Sequence, residues 1–201
     1  MNLTAEILAV GTEILLGNIA NTDAQDVSAA LSELGINIYY HTVVGDNPTR
    51  VKEAVDIARK RADIIITTGG LGPTYDDLTK QTLAEAFGKE LYYDEASAAR
   101  IKELFREKLH GAQMTENNLL QAYLPVGCTV FENSCGTAPG CAFEADGKYV
   151  LMLPGPPSEC RAMLKTGAVP YLKKLSGMEI RSHNIHIFGM ARAVSRTDFM
   201  I

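Results

Sequence analysis

The chain has 201 residues, 46% of them hydrophobic, 21% charged and 7% aromatic, with no tryptophan, a composition that suits a packed globule and excludes disorder. Nineteen Lys and Arg against 24 Asp and Glu leave a net charge of −5, and no Lys/Arg block is present that could track a phosphodiester backbone, so nucleic acid is not expected as a direct ligand. The N-terminal stretch Met1 to Leu8 has neither a basic opening nor a cleavage site, and no apolar run reaches the ~20 residues a bilayer requires, so a cytoplasmic protein with no membrane partner is expected.

Residues 5–10 form a short apolar run ended by Gly11, which suits a strand buried on both faces. Asn21 or Thr22 can cap a helix whose stripe Ala24, Val27, Leu31, Leu34 ends at Gly35. The β-branched and aromatic run 36–44 reads as a second strand, stopped by Gly45-Asp46-Asn47-Pro48. Asn47-Pro48 opens a helix carrying Val51, Ala54, Val55 and Ala58, and Ile64 to Thr68 is a third buried strand. This β-α-β-α-β order predicts a doubly wound, mostly parallel α/β sheet, because connections of this length hold crossover helices rather than hairpins.

A helix is expected from Asp77 to Phe87, then one capped by Asp94 and one capped by Thr115 that stops before Pro125. From 128 to 153 three strand-like runs with an Asp146-Gly147 turn predict antiparallel pairing. The Pro154-to-Pro157 turn then precedes a helix opened near Ser158, and Ile185 to Phe188 reads as a further strand. A small subsidiary β-containing lobe beside the main sheet is expected. Cys128, Cys135, Cys141 and Cys160 contain no Cys-x-x-Cys pair and are too sparse for a disulfide scaffold, so reduced, partly buried thiols are expected. In a strand-like stretch, His183 and His186 would fall on opposite faces, against a shared metal.

Chemistry concentrates after the third strand. Thr68-Gly69-Gly70-Leu71-Gly72-Pro73-Thr74 sits where doubly wound sheets bind ligands, and its glycines let backbone N–H groups approach an anion such as phosphate. A glycine-rich turn by itself fits a purely structural role equally well. Asp46, Asp76, Asp77 and Glu13, placed beyond parallel strands, would gather at the same sheet edge, and carboxylates beside an anion site make sense when a divalent cation bridges them. Asp77 can alternatively cap the helix that follows. Neither the Walker A loop, the dinucleotide Gly-x-Gly-x-x-Gly nor the Gly-x-Ser-x-Gly elbow is present.

Six segments, Ala9 to Gly17, Val44-Gly45-Asp46, Gly69 to Thr79, Met114 to Asn118, Gly136 to Gly140 and Leu153 to Glu159, together resemble the N-terminal domain of the competence/damage-inducible CinA family. That domain is similar in turn to molybdopterin-binding enzymes of molybdenum-cofactor synthesis, whose Gly-Gly-x-Gly and Asp-x-Thr match Gly69 to Gly72 and Asp77-Leu78-Thr79. The resemblance implies a molybdopterin-binding-like domain over residues 1–170, with 171–201 the start of a following segment. It also implies a homodimer and a phosphorylated small-molecule ligand, nucleotide or pterin. The activity implied is an ADP-ribose pyrophosphatase dependent on a divalent metal (Mg, Mn or Co), with pterin-phosphate handling or a non-catalytic competence or damage-response role as the other readings.

The catalytic residues it implies are Asp46 and Asp77, and the metal ligands Asp46, Asp76 and Asp77. Gly11, Thr12, Glu13, Thr68, Gly69, Gly70, Leu71, Gly72, Pro73, Thr74, Pro154, Gly155, Ser158 and Glu159 would contact the ligand. Leu71 stands where the cofactor enzymes carry threonine, which favours the CinA branch, and a Nudix-type glutamate-rich helix is absent. The family continues through Gly-Met-Gly-Glu, often into a deamidase domain. This chain reads Gly189-Met190-Ala191-Arg192 and ends at Ile201, so no deamidase activity is expected of it.

Overall fold

The computed structural model describes residues 3–74, 77–107 and 114–177. The chain runs β1 (Thr4–Val10), α1 (Thr12–Leu15), α2 (Thr22–Glu33), β2 (Asn37–Val44), α3 (Pro48–Ala58), β3 (Ile64–Thr68), α4 (Thr79–Ala86), β4 (Leu91–Tyr93), α5 (Glu95–Glu107) and α6 (Glu116–Leu120). It continues through β5 (Tyr123–Pro125), β6 (Thr129–Phe131), β7 (Gly140–Ala145), β8 (Lys148–Leu153), α7 (Pro157–Met163), a π-turn (Leu164–Ala168) and α8 (Val169–Ser176).

Six strands form one sheet in the order β2-β1-β3-β8-β7-β6. The first four are mutually parallel, and β7 pairs antiparallel with both β8 and β6. The hairpin between β7 and β8 turns at Asp146 and Gly147, both with positive φ (52° and 69°), the backbone that a tight two-residue turn requires. β8 then pairs in parallel with β3, so the hairpin extends the main sheet. The second sheet is the antiparallel pair β4-β5, which with α5 and α6 makes the subsidiary lobe.

Because side chains alternate along a strand, the parallel strands supply two cores. Ile7, Ile64, Ile66, Leu151 and Leu153 face α2, α7 and α8 through Val27, Leu31, Met163 and Leu172. Leu8, Val10, Ile65, Val150 and Met152 face α3 and α4 through Val51, Val55 and Leu83. Glu6 breaks the apolar pattern of β1 and is fully buried. Arg61, just past α3, grips its two carboxylate oxygens at 2.8 and 2.7 Å, Thr42 donates at 2.7 Å, and the guanidinium lies 3.6 Å above the Tyr40 ring. A buried carboxylate is tolerated when charge and hydrogen bonds are both satisfied in this way.

Asn21 caps α2 by accepting from Ala24 N at 3.1 Å and Asn47 caps α3 by accepting from Arg50 N at 3.1 Å, as the sequence predicts. Two boundaries differ. The helix expected from Asp77 begins at Thr79 without a side-chain cap, because the Asp77 carboxylate closes a turn with Thr74 instead. The helix expected to run from Thr115 toward Pro125 stops at Leu120, and Tyr123–Pro125 pairs with Leu91–Tyr93. The expected strand 185–188, with His183 and His186, lies outside the described residues. Among the described residues no helix is long and apolar enough to cross a membrane.

Candidate functional site

Four parallel strands end at one level, since Val10 is paired with Val44, Ala9 with Thr68, and Thr68 with Leu153. The loops that follow therefore leave the sheet side by side. Their first residues continue the ladder, with Gly11 N donating to Val44 O and Gly69 N to Leu153 O, both at 3.0 Å. The chain passes from β1 outward to β2 and returns to β3 on the other side of β1, so the glycine loop after β3 stands at the point where strand order reverses.

Each glycine of this loop answers a steric demand. Gly69 and Gly70 have φ of 94° and 68°, which L side chains rarely adopt. A Cβ on Gly69 would overlap the Val10 carbonyl, one on Gly70 the Thr79 hydroxyl, and one on Gly72 the Asp77 carboxylate. Gly155, in the proline turn, brings the fourth loop onto Gly69, with its Cβ position 3.2 Å from Gly69 Cα. Gln121, from the subsidiary lobe, donates to Leu71 O at 3.3 Å, and the buried Lys80 ammonium donates to the Gln121 carbonyl. Burial pushes the Lys80 ammonium down to about 8, against the pull of nearby Asp77.

Two aspartates are held by the same device. Asp46 Oδ2 accepts from Thr12 N and Thr12 Oγ1, both at 2.8 Å. Asp77 Oδ2 accepts from Thr74 N at 2.9 Å and Thr74 Oγ1 at 2.6 Å. Opposite them, Asn133 organises the loop before β7. Its Oδ1 accepts from Cys135 N and Gly136 N (3.0 and 2.8 Å), and its Nδ2 donates to Ala138 O at 2.9 Å and Glu159 Oε2 at 2.6 Å.

These loops enclose a cavity of about 610 Å³. Of the sequence-predicted residues, Glu13, Asp46, Thr68, Gly69, Gly70, Leu71, Gly72, Pro73, Thr74, Asp77, Pro154, Gly155 and Glu159 line it. Gly11, Thr12 and Ser158 do not: Gly11 is buried in the ladder, Thr12 acts through Asp46, and Ser158 sits exposed on the first turn of α7. Asp76 lies outside the described residues.

Sequence reasoning missed Asp23, Gln121 and Thr137, which also line the cavity. Asp23 had a legible signal, since it stands four residues before Val27 and eight before Leu31 on the buried stripe of α2. It is only 7% exposed. Desolvation, reinforced by Asp26 and opposed by Arg161, pushes its carboxyl up to about 6. Gln121 follows a short helix and carried no pattern.

The lining charge is one-sided. Glu13, Asp23, Asp46, Asp77 and Glu159 contribute five carboxylates, and no Lys, Arg or His lines the cavity among the described residues. Among the described residues, no three His, Cys, Asp or Glu side chains converge closely enough to hold a metal by themselves. A magnesium-like ion, however, is commonly held by one or two carboxylates with ligand phosphates and water completing its shell, and Asp46 and Asp77 are both among the lining carboxylates.

The fold is that of a doubly wound domain with a loop-lined cavity at its strand-order switch. The family described as "Probable molybdopterin binding domain" matches residues 6–174. A competence-damage inducible protein of Acetivibrio thermocellus is 53% identical over 191 residues, covering 95% of this chain and 46% of the relative, and one from Clostridium kluyveri is 49% identical over the same length. The chain thus spans about half the length of the curated relatives it matches. The crystal structure of CinA from Thermoplasma acidophilum superposes with a TM-score of 0.75 at 35% identity, covering 87% of this chain and 98% of that one. The molybdopterin biosynthesis enzyme MoaB of Thermus thermophilus superposes at 0.57 with 20% identity, covering 88% and 98%, which shows a shared fold. The chain belongs to the CinA, or competence-damage inducible, family, and its domain is of the molybdopterin-binding type.

Proposed function

We propose that this domain binds a phosphorylated small molecule together with a divalent cation and hydrolyses ADP-ribose or a related nucleotide pyrophosphate. One observation carries the reading: a glycine loop suited to phosphate forms one wall of a cavity whose described charged side chains are all carboxylates. Phosphate and five carboxylates repel one another, and a cation carried in with the phosphate reverses that repulsion. The volume of about 610 Å³ falls within the roughly 300–1,000 Å³ typical of small-molecule sites.

In this reading Asp46 and Asp77 hold the cation, and the two threonine clasps fix one oxygen of each carboxylate. A bound divalent ion supplies Lewis acidity toward the bridging oxygen and toward a water nucleophile. The loop amides of residues 70–72 stabilise charge on the phosphate oxygens. Water adds across the P–O–P linkage, so ADP-ribose and water yield AMP and ribose 5-phosphate. Incubation with ADP-ribose and Mg²⁺, Mn²⁺ or Co²⁺, with both products quantified, tests the reading. Absence of both products with all three metals overturns hydrolysis.

A second reading, binding of a pterin phosphate without hydrolysis, draws on the fold shared with MoaB and on the two buried acceptors Asp23 and Gln121 that line the cavity.

A further inference from the structure

Among the described residues, three buried side-chain oxygens have no hydrogen-bond partner: Asp23 Oδ1, Gln121 Oε1 and Thr79 Oγ1. Two of them belong to this site: Asp23 and Gln121 line the cavity. The Thr79 hydroxyl packs against the glycine loop, in the space that a Cβ on Gly70 would take. Unpaired buried oxygens are costly and rare, and two on the walls of one cavity call for a ligand that supplies donors.

Asp23 stands on the first turn of α2, which Asn21 caps, and the Asp26–Arg161 ion pair at 2.6 Å links α2 to α7. The orientation of Gln121 is fixed because its Nε2 donates to Leu71 O, which leaves Oε1 as a free acceptor. Nothing in this arrangement suits phosphate, since both groups are acceptors.

We propose that Asp23, seconded by Gln121, recognises the organic half of the ligand by accepting hydrogen bonds from a donor pair, while the glycine loop and cation hold its phosphates. The inference rests on the phosphate-site reading above. The donor pair has two possible sources, the vicinal hydroxyls of a ribose or the N–H and NH₂ edge of a pterin. A site built to hydrogen-bond such donors discriminates strongly against ligands that lack them.

The test measures binding by calorimetry with Mg²⁺ present for wild type, Asp23→Asn and Asp23→Ala. The probes are inorganic pyrophosphate, ADP-ribose and 6-hydroxymethyl-dihydropterin diphosphate. At least one organic diphosphate is expected to bind wild type tenfold or more tightly than pyrophosphate does, and which one gains identifies the donor source. Asp23→Ala should erase that gain and Asp23→Asn, which keeps an acceptor oxygen, should erase part of it. Pyrophosphate affinity should stay within twofold in both variants, with melting curves showing each to be folded. A gain that survives Asp23→Ala, an absent gain, or an equal loss for pyrophosphate overturns the role of Asp23 and leaves the phosphate site standing. No binding of any probe by wild type overturns both readings.

Discussion

Replacing Asp23 by Asn should make the protein more stable at neutral pH. The Asp23 carboxyl is pushed up to about 6 in the fold from 3.8. A group whose folded pKa is raised favours the folded state below its unfolded pKa, and that contribution is lost as pH rises through the folded pKa. Above pH 6 the ionised form therefore opposes folding by about 3 kcal/mol, since each pH unit between the unfolded and folded values is worth about 1.4 kcal/mol. Asp23 faces a cavity open to solvent, so about 1–3 kcal/mol is the expected range, equivalent to a Tm rise of roughly 2–12 °C in a chain of this size. Asn is neutral at every pH, so the gain should be full at pH 7.5 and shrink to about a fifth of that at pH 4. Urea unfolding of both proteins at the two pH values measures it. A variant less stable than wild type at pH 7.5 would show that the carboxylate serves the fold, and would refute the reasoning that it is kept for a ligand.

Arg61→Ala should destabilise the fold, because it leaves the fully buried Glu6 carboxylate with Thr42 alone. The double variant Glu6→Leu/Arg61→Met should lose less, and a denaturation cycle reads the difference. Gly70→Ala must adopt a φ of 68° and displace the Thr79 hydroxyl, at a cost exceeding the ~1–2 kcal/mol of left-handed backbone alone. Adding Thr79→Ala should recover part of that loss, and strict additivity in thermal melts would refute the clash. Asp77→Asn keeps an oxygen that can accept from Thr74 but loses the charge, so its Tm should move little while ADP-ribose turnover and metal dependence collapse. Near-wild-type turnover would remove Asp77 from the site.

The parallel sheet was legible because its strands are unbroken aliphatic runs and its helices carry plain stripes with Asn caps at Asn21 and Asn47. The sharp turn after β3 was legible because three glycines in four residues follow a buried strand, and Gly69 and Gly70 do take positive φ. What escaped depends on pairings made at a distance. Tyr123–Pro125 is too short to announce a strand, and only Leu91–Tyr93 opposite makes it one. The capping alternative for Asp77 rests on carboxylates near helix starts often being caps, yet its oxygen accepts from Thr74 instead. Gln121 reaches Leu71 from fifty residues away, and no local pattern encodes such a contact. Asp23 escaped for another reason: apolar residues define the stripe of α2, and a charged exception on it is hidden by that pattern, although a buried charge is the more informative signal.

The central claim is that this carboxylate-lined cavity takes phosphate only with a cation. Thermal melting with ADP-ribose in excess magnesium, and again in excess chelator, tests it directly. A ligand at about a hundred times its Kd stabilises the native state by about 2.7 kcal/mol, which at roughly 2–4 °C per kcal/mol is a rise of roughly 5–11 °C. That rise is expected with magnesium and not with chelator. An equal rise in both would contradict the claim.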